Sequence, residues 1–194
     1  DQWGVIHDGQ VGYPQAIDCV DELIRLKKKL IIISNSSKRK KTTLDRLLQF
    51  GFEKKNFLEV MTSGEMIWQS LFFKSHEFTK NLGTNCYYLF DKSKEDGSKY
   101  IEGLDFNFVN NIDEADFILG CTPMSGLTTL DYVPLLVSAI KKNIPFICAN
   151  PDFESINSSF NYLNICMGTI AELYKDFGGN VFMLGKPSIY IYKE

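Results

Sequence analysis

The sequence lacks a C-x-x-C pair, a long apolar run and an excess of charge of either sign, and each absence removes a class of protein. Its five cysteines, Cys19, Cys86, Cys121, Cys148 and Cys166, are odd in number and widely spaced, which speaks against a disulfide framework and a zinc site. A reducing compartment, and with it a cytoplasmic location, is the simpler expectation. No run of about eighteen apolar residues is there to span a bilayer, and no charged-then-apolar leader precedes the first motif. Acids and bases nearly cancel to a net charge of −3, so neither nucleic acid nor an anionic membrane is expected as a general partner. The one basic cluster, Lys38-Arg39-Lys40-Lys41, is short and reads as a solvated helix start. Neither G-x-x-x-x-G-K-[ST] nor G-x-G-x-x-G occurs, which disfavours a nucleotide-binding α/β module.

What is there is an alternation of strands and helices. Hydrophobic residues make up 44% of the 194, enough for the core of one large domain or two small ones. Pro14 and the spacing of Ile17, Val20 and Ile24 predict a helix with lysines near its end. Lys29 to Ser34 is a short apolar run expected of a strand buried on both faces of a parallel sheet. Leu44, Leu47 and Leu48 predict a second helix ending near Gly51. Leu58 to Thr62 reads as a strand and Glu65 to about Lys80 as one helix. Further strands are predicted at Cys86–Phe90, Asp116–Gly120, Pro145–Ala149 and Val181–Leu184. The polar stretch Asp91 to Lys99 suits a surface loop. A capping box at Thr128-Thr129-Leu130-Asp131 opens one helix, and Met167 to Phe177 forms the last, stopped by Gly178-Gly179.

In a parallel α/β sheet, ligands collect at the carboxyl ends of the strands. Three polar segments belong there: Asp1-Gln2-Trp3-Gly4-Val5, Ser34-Asn35-Ser36-Ser37 and Gly185-Lys186-Pro187. A carboxylate, a hydroxyl and an ammonium brought together can attack and neutralise a phosphate, the first as nucleophile and the others as charge stabilisers. Taken singly, each has a blander reading: Asp1 as a solvated residue, Ser34 as a turn or cap hydroxyl, Lys186 as a surface lysine, and Asn150-Pro151-Asp152 as a turn with proline in second position.

The order and spacing of these segments resemble the haloacid dehalogenase superfamily, subclass IIA, over nearly the whole chain. Asp1-x-Trp3-Gly4-Val5 stands where that family has its D-x-D-G nucleophile motif, Ser34-Asn35 where it has Thr/Ser-Asn, and Gly185-Lys186-Pro187 where it has G-K-P. Ala149-Asn150-Pro151-Asp152 resembles the N-P-D segment of the family's cap, and Gly168 to Gly179 its G-x-[IL]-A…G-G helix. The resemblance implies an α/β fold with a Rossmann-like, three-layer core at residues 1–80 and 183–194, and an inserted C2-type α/β cap at 81–182. It implies Mg²⁺-dependent hydrolysis of a small phosphorylated metabolite, with Asp1 as nucleophile, Ser34 and Lys186 as catalytic partners, and Ser34, Asn35, Ser36, Lys186, Asn150 and Asp152 around the phosphate and substrate. Asp1 and the backbone carbonyl of Trp3 would bind the metal. Pairing of two copies through the cap is compatible with it.

Two departures matter. Where the family has a second aspartate as general acid and base, this chain has Trp3, which has no titratable proton. Loss of such a group is typically worth about 10²–10⁴ in rate, so a slow enzyme, one limited to good leaving groups, or one using His7 or Asp8 instead is expected. A catalytically weakened protein that binds a phosphorylated ligand is the alternative. The family also has a strand before the nucleophile and an acidic G-D-x-x-x-x-D metal motif after the lysine, which are expected before Asp1 and after Glu194.

Overall fold

The computed structural model describes residues 1–94, 96–157 and 162–193. Pro14 opens α1 (Pro14–Arg25) at the first helical position, where its missing N–H costs nothing. Val20 is the residue of α1 that becomes fully buried. It packs with Ile32, Leu47, Phe50, Phe52 and Val60 against one face of a parallel pair, β1 (Ile31–Ser34) and β2 (Glu59–Thr62). α2 (Lys40–Leu47) covers that pair and passes through a 3₁₀ turn into Gly51, as the spacing predicts. The expectation that β1 is buried on both faces needs correction: Ile31 is 57% exposed, because among the described residues this sheet has only two strands.

The single helix expected over residues 65–80 is two. α3 (Ser63–Phe73) ends where Lys74 takes left-handed backbone at φ 49°. α4 (Glu77–Lys80) restarts from a capping box between His76 and Thr79. Next comes a five-stranded sheet, parallel throughout, from β3 (Asn85–Leu89), β4 (Asn107–Val109), β5 (Phe117–Gly120), β6 (Phe146–Cys148) and β9 (Val181–Met183), in the order β4-β3-β5-β6-β9. Four of these strands match the apolar runs to within a residue. β4 has three residues and no apolar run to mark it. A short antiparallel hairpin, β7 (Glu154–Asn157) with β8 (Tyr162–Ile165), was likewise not predicted.

The pleat of the sheet sorts its side chains. Phe117, Leu119 and Ile147 pack with Met66, Ile67 and Leu71 of α3. On the other face Ile118, Phe146 and Cys148 pack with α6 (Thr129–Lys141) and α7 (Met167–Asp176). The sheet is the middle of three layers, and truncating fully buried Ile67 or Leu119 to alanine would cost about 2–5 kcal/mol. The predicted capping box of α6 is present, with the N–H and Oγ1 of Thr128 both donating to Asp131 at 2.7 Å. Part of the polar stretch read as a loop is α5 (Asp96–Tyr100). It is held down by Tyr100, which is buried and donates from its hydroxyl to Gly64 O at 2.8 Å. Among the described residues, no helix is long and apolar enough to cross a membrane.

Candidate active site

β1 delivers Ser34 to its carboxyl end, paired with Thr62 of β2. The backbone of residues 35–37 then turns across the start of α3, with Gly64 N–H donating to Ser36 O at 3.0 Å. The turn sits so close that a Cβ at Gly64 would lie 2.2 Å from Ser37 O. Beyond this loop Ser63 Oγ donates to Ala149 O at 2.7 Å, joining the end of β6 to the same corner.

Lys186 arrives from β9 through Gly185, whose φ of 139° suits glycine, and a Cβ there would meet Asn35 Oδ1 at 2.6 Å and Pro151 at 2.8 Å. The Lys186 ammonium lies 2.6 Å from Asp1 Oδ2. Burial lowers the pKa of this ammonium from the ordinary lysine value, while the charges of Asp152 and Tyr192 oppose the shift. Ser34, 2% exposed, is reached from the same side by the Gln2 carboxamide at 3.2 Å. The three segments singled out in the sequence therefore meet at one rim.

The other predicted substrate-binding side chains are there too, but they hold one another. Asn35 accepts from Lys186 N–H at 2.7 Å and donates to Lys186 O at 3.0 Å and to Asp152 Oδ1 at 2.7 Å. Its carboxamide is committed to fixing the lysine's backbone and the Asp152 carboxylate. Asn150 Oδ1 accepts from Asp152 N–H, so Asn150-Pro151-Asp152 is an Asx-type turn. Ser36 contributes its N–H to Ser34 Oγ at 3.4 Å, and its own hydroxyl accepts from Lys38 N–H.

Asp1, Ser34, Asn35, Ser36, Asn150 and Asp152 border a cleft of about 1450 Å³, walled on one side by the loops of residues 1–10 and 34–38 and on the other by Thr122 to Thr129. The second wall was marked in the sequence only at Thr128 and Thr129, the start of the predicted capping box. It is anchored by Asp91, a buried carboxylate that accepts from the N–H and hydroxyl groups of both Ser93 and Ser125. Burial works against its charge, but these donors and Lys94 outweigh that and hold its pKa well below the usual range. Ser37 and Thr122, 3.4 Å apart through their hydroxyls, join the two walls.

Around Trp3 the side chains hold the loop together. The indole is 40% exposed, lies against Gly9 and meets His7 edge-on. His7, offered as a substitute acid or base, is 2% exposed and stacked on Phe50 at 4.0 Å. Burial first, and the Arg46 charge second, push its pKa down to about 4 against the pull of Asp8. Asp8 Oδ1 accepts from the N–H groups of Gln10 and Val11, each at 2.8 Å. Both side chains hold the loop in shape. The basic cluster is also only partly solvated: Arg39 pairs with buried Glu65 at 2.7 Å and lies 3.5 Å over the Trp68 ring.

The haloacid dehalogenase-like hydrolase family matches residues 1–107, more than half of the chain. The chain belongs to that family. The match takes in Asp1 and the Ser34 segment, and the assignment to subclass IIA stands with it. Among solved structures, this hydrolase is similar to a haloacid dehalogenase-like hydrolase from Brucella suis 1330, at 25% identity and a TM-score of 0.86, covering 100% of this chain and 67% of that one. It also shares its fold with a p-nitrophenyl phosphatase from Archaeoglobus fulgidus, at 23% identity and a TM-score of 0.64, over 98% and 68% of the two chains. A third likeness is to a glycerol phosphate phosphatase from Mycobacterium tuberculosis in complex with magnesium, at 14% identity and a TM-score of 0.68, over 100% and 55%. The chain thus spans about two thirds of the length of the first two. No curated protein matches the sequence.

Proposed function

We propose that this hydrolase cleaves phosphate monoesters of small metabolites through an aspartyl-phosphate on Asp1. The observation that carries the reading is the 2.6 Å pair between Asp1 and Lys186 at the rim that also holds Ser34. An Asp1 oxygen would attack phosphorus as the ester P–O bond breaks, and the leaving oxygen would take its proton from water, since Trp3 has none to give. Water would then break the acyl phosphate, returning the carboxylate and releasing inorganic phosphate. Lys186 and Ser34 would offset the charge that builds on the phosphoryl oxygens, where fixed donors are most effective. In this division residues 1–80 and 183–194 form the core and 81–182 the cap, with the Thr122–Thr129 wall choosing the leaving group.

The donor set suits Mg²⁺. Among the described residues no three His, Cys, Asp or Glu side chains cluster as a metal cage. Asp1 and the Trp3 carbonyl offer hard oxygen ligands of the kind that leave magnesium several of its waters. When bound, the ion would supply Lewis-acid polarisation of the phosphate. The magnesium complex of the mycobacterial structure supports the same choice.

Trp3 favours a second reading, a weakened family member that holds a phosphorylated ligand without turning it over, because His7 and Asp8 are both committed to the loop. Turnover of p-nitrophenyl phosphate with Mg²⁺, set beside Asp1→Asn, separates the two. Turnover abolished by that change supports the enzyme. No turnover together with measurable binding of phosphate esters supports the second reading.

A further inference from the structure

A serine hydroxyl has one hydrogen to give and two lone pairs to fill, so the neighbours that donate to it decide where its hydrogen goes. Ser34 Oγ receives two donors, the Ser36 N–H at 3.4 Å and the Gln2 Nε2 at 3.2 Å. The orientation of the Gln2 amide follows from the histidine behind it. Gly9 N–H can only donate, and it lies 3.0 Å from His7 Nδ1, so that nitrogen carries no proton. A neutral ring then carries its proton on Nε2, which faces Gln2 Oε1 across a long 3.5 Å contact. With its oxygen held by His7, the carboxamide turns its NH₂ to Ser34. The buried ring is fixed by stacking on Phe50, and Gln2 is itself buried.

We propose that Gln2 and His7 are positioning residues that occupy the acceptor side of Ser34 and so aim its hydrogen into the cleft, at a phosphoryl oxygen of the bound ester. The proposal rests on the phosphatase reading, but its internal logic does not. Apart from the backbone N–H of Gln2, which donates to Asp1 Oδ1 at 2.8 Å and is untouched by a side-chain substitution, the relay meets the reacting atoms only through the serine it orients. It also gives the residue after the nucleophile a role that its position in the motif alone does not reveal.

A double-mutant cycle tests it, with Gln2→Met, which keeps the side-chain volume without hydrogen-bonding groups, and Ser34→Ala. Two quantities are read on the full chain: turnover of p-nitrophenyl phosphate with Mg²⁺, and calorimetric binding of inorganic phosphate. Gln2→Met is expected to lower kcat and phosphate affinity about tenfold, less than the 10²–10³ lost with a whole oxyanion donor, and to have little effect once Ser34 is alanine. An equal loss in both backgrounds would overturn the proposal. Nitrogen-15 spectra of the two imidazoles, assigned with His76→Gln, add a readout that needs neither turnover nor a variant of the relay. His7 protonated on Nε2 is expected; protonation on Nδ1 would overturn the relay. Coupling in phosphate binding without any turnover would remove the phosphatase reading and leave the relay standing.

Discussion

Gly185→Ala is the substitution whose effect the geometry predicts most directly. At φ 139° an L side chain is strained, at a cost of about 1–3 kcal/mol. The new methyl would also stand 2.6 Å from Asn35 Oδ1 and 2.9 Å from Ser63 Cβ. The flexible member of that set is the Asn35 carboxamide, and moving it breaks its contact with Lys186 N–H, a net loss of about 1 kcal/mol. The total of about 2–4 kcal/mol corresponds to a melting point lower by roughly 5–15 °C for a chain of this size. Lys186 would be displaced from Asp1, and a misplacement of about 1 Å can cost roughly 100-fold in rate. Thermal unfolding followed by circular dichroism, with p-nitrophenyl phosphate turnover on the same samples, measures both effects. Gly126→Ala is the control, since its φ is also positive at 83° but its Cβ would meet nothing within 4 Å; strain alone should cost it about 1–2 kcal/mol. If Gly185→Ala melts no lower than Gly126→Ala and turns over normally, the reasoning about this corner is refuted.

Desolvation disfavours the Glu65 charge, but hydrogen bonds from Arg39, Lys40 N–H and Gln69, with the Arg39 charge, lower its pKa in the fold. The folded state therefore holds the proton less tightly than the unfolded chain: the stabilisation is full above the ordinary glutamate value of about 4.5 and is lost as pH falls below it. Glu65→Gln should cost roughly 3 kcal/mol at neutral pH and flatten the acid limb of urea melts between about pH 5 and 3; an unchanged limb would contradict this. Asp91→Ala removes the acceptor shared by Ser93 and Ser125, so it should raise KM severalfold with kcat little changed and lower stability by about 2–4 kcal/mol, whereas an unaltered KM would separate Asp91 from the cleft wall. Trp3→Asp should raise kcat/KM for an alkyl phosphate about 10- to 100-fold relative to p-nitrophenyl phosphate, by restoring a proton donor to the poorer leaving group; an unchanged ratio would show that proton donation does not limit this enzyme.

The legibility of the sequence varied with the length scale of the signal. Strands such as Phe117–Gly120 and Phe146–Cys148 are wholly buried, so an unbroken apolar run marks them. β4 is three residues long and mostly exposed, α5 is short and polar, and the buried anchor of α5 is Tyr100 at its last position, which no periodicity can expose. The meeting of Asp1, Ser34 and Lys186 followed from the rule that loops at strand ends converge, reinforced by the motif order. The roles of Asn35, Asn150 and Asp152 did not follow, because a type and a spacing do not say whether an amide faces a ligand or a neighbour. Gln2 and His7 were hidden for the same reason, since their relation depends on which ring nitrogen meets Gly9.

The placement of α3 has a mechanical consequence. Its chain neighbours belong with β1 and β2, yet Met66, Ile67 and Leu71 are sunk into the five-stranded sheet, and its first turn is tied to Tyr100 and Ala149. Pulling α3 away from that sheet would expose these apolar side chains to water. α3 is in that sense welded to the five-stranded sheet, and any relative motion of the two halves has to be taken up in the chain around it, with helix and sheet travelling as one piece.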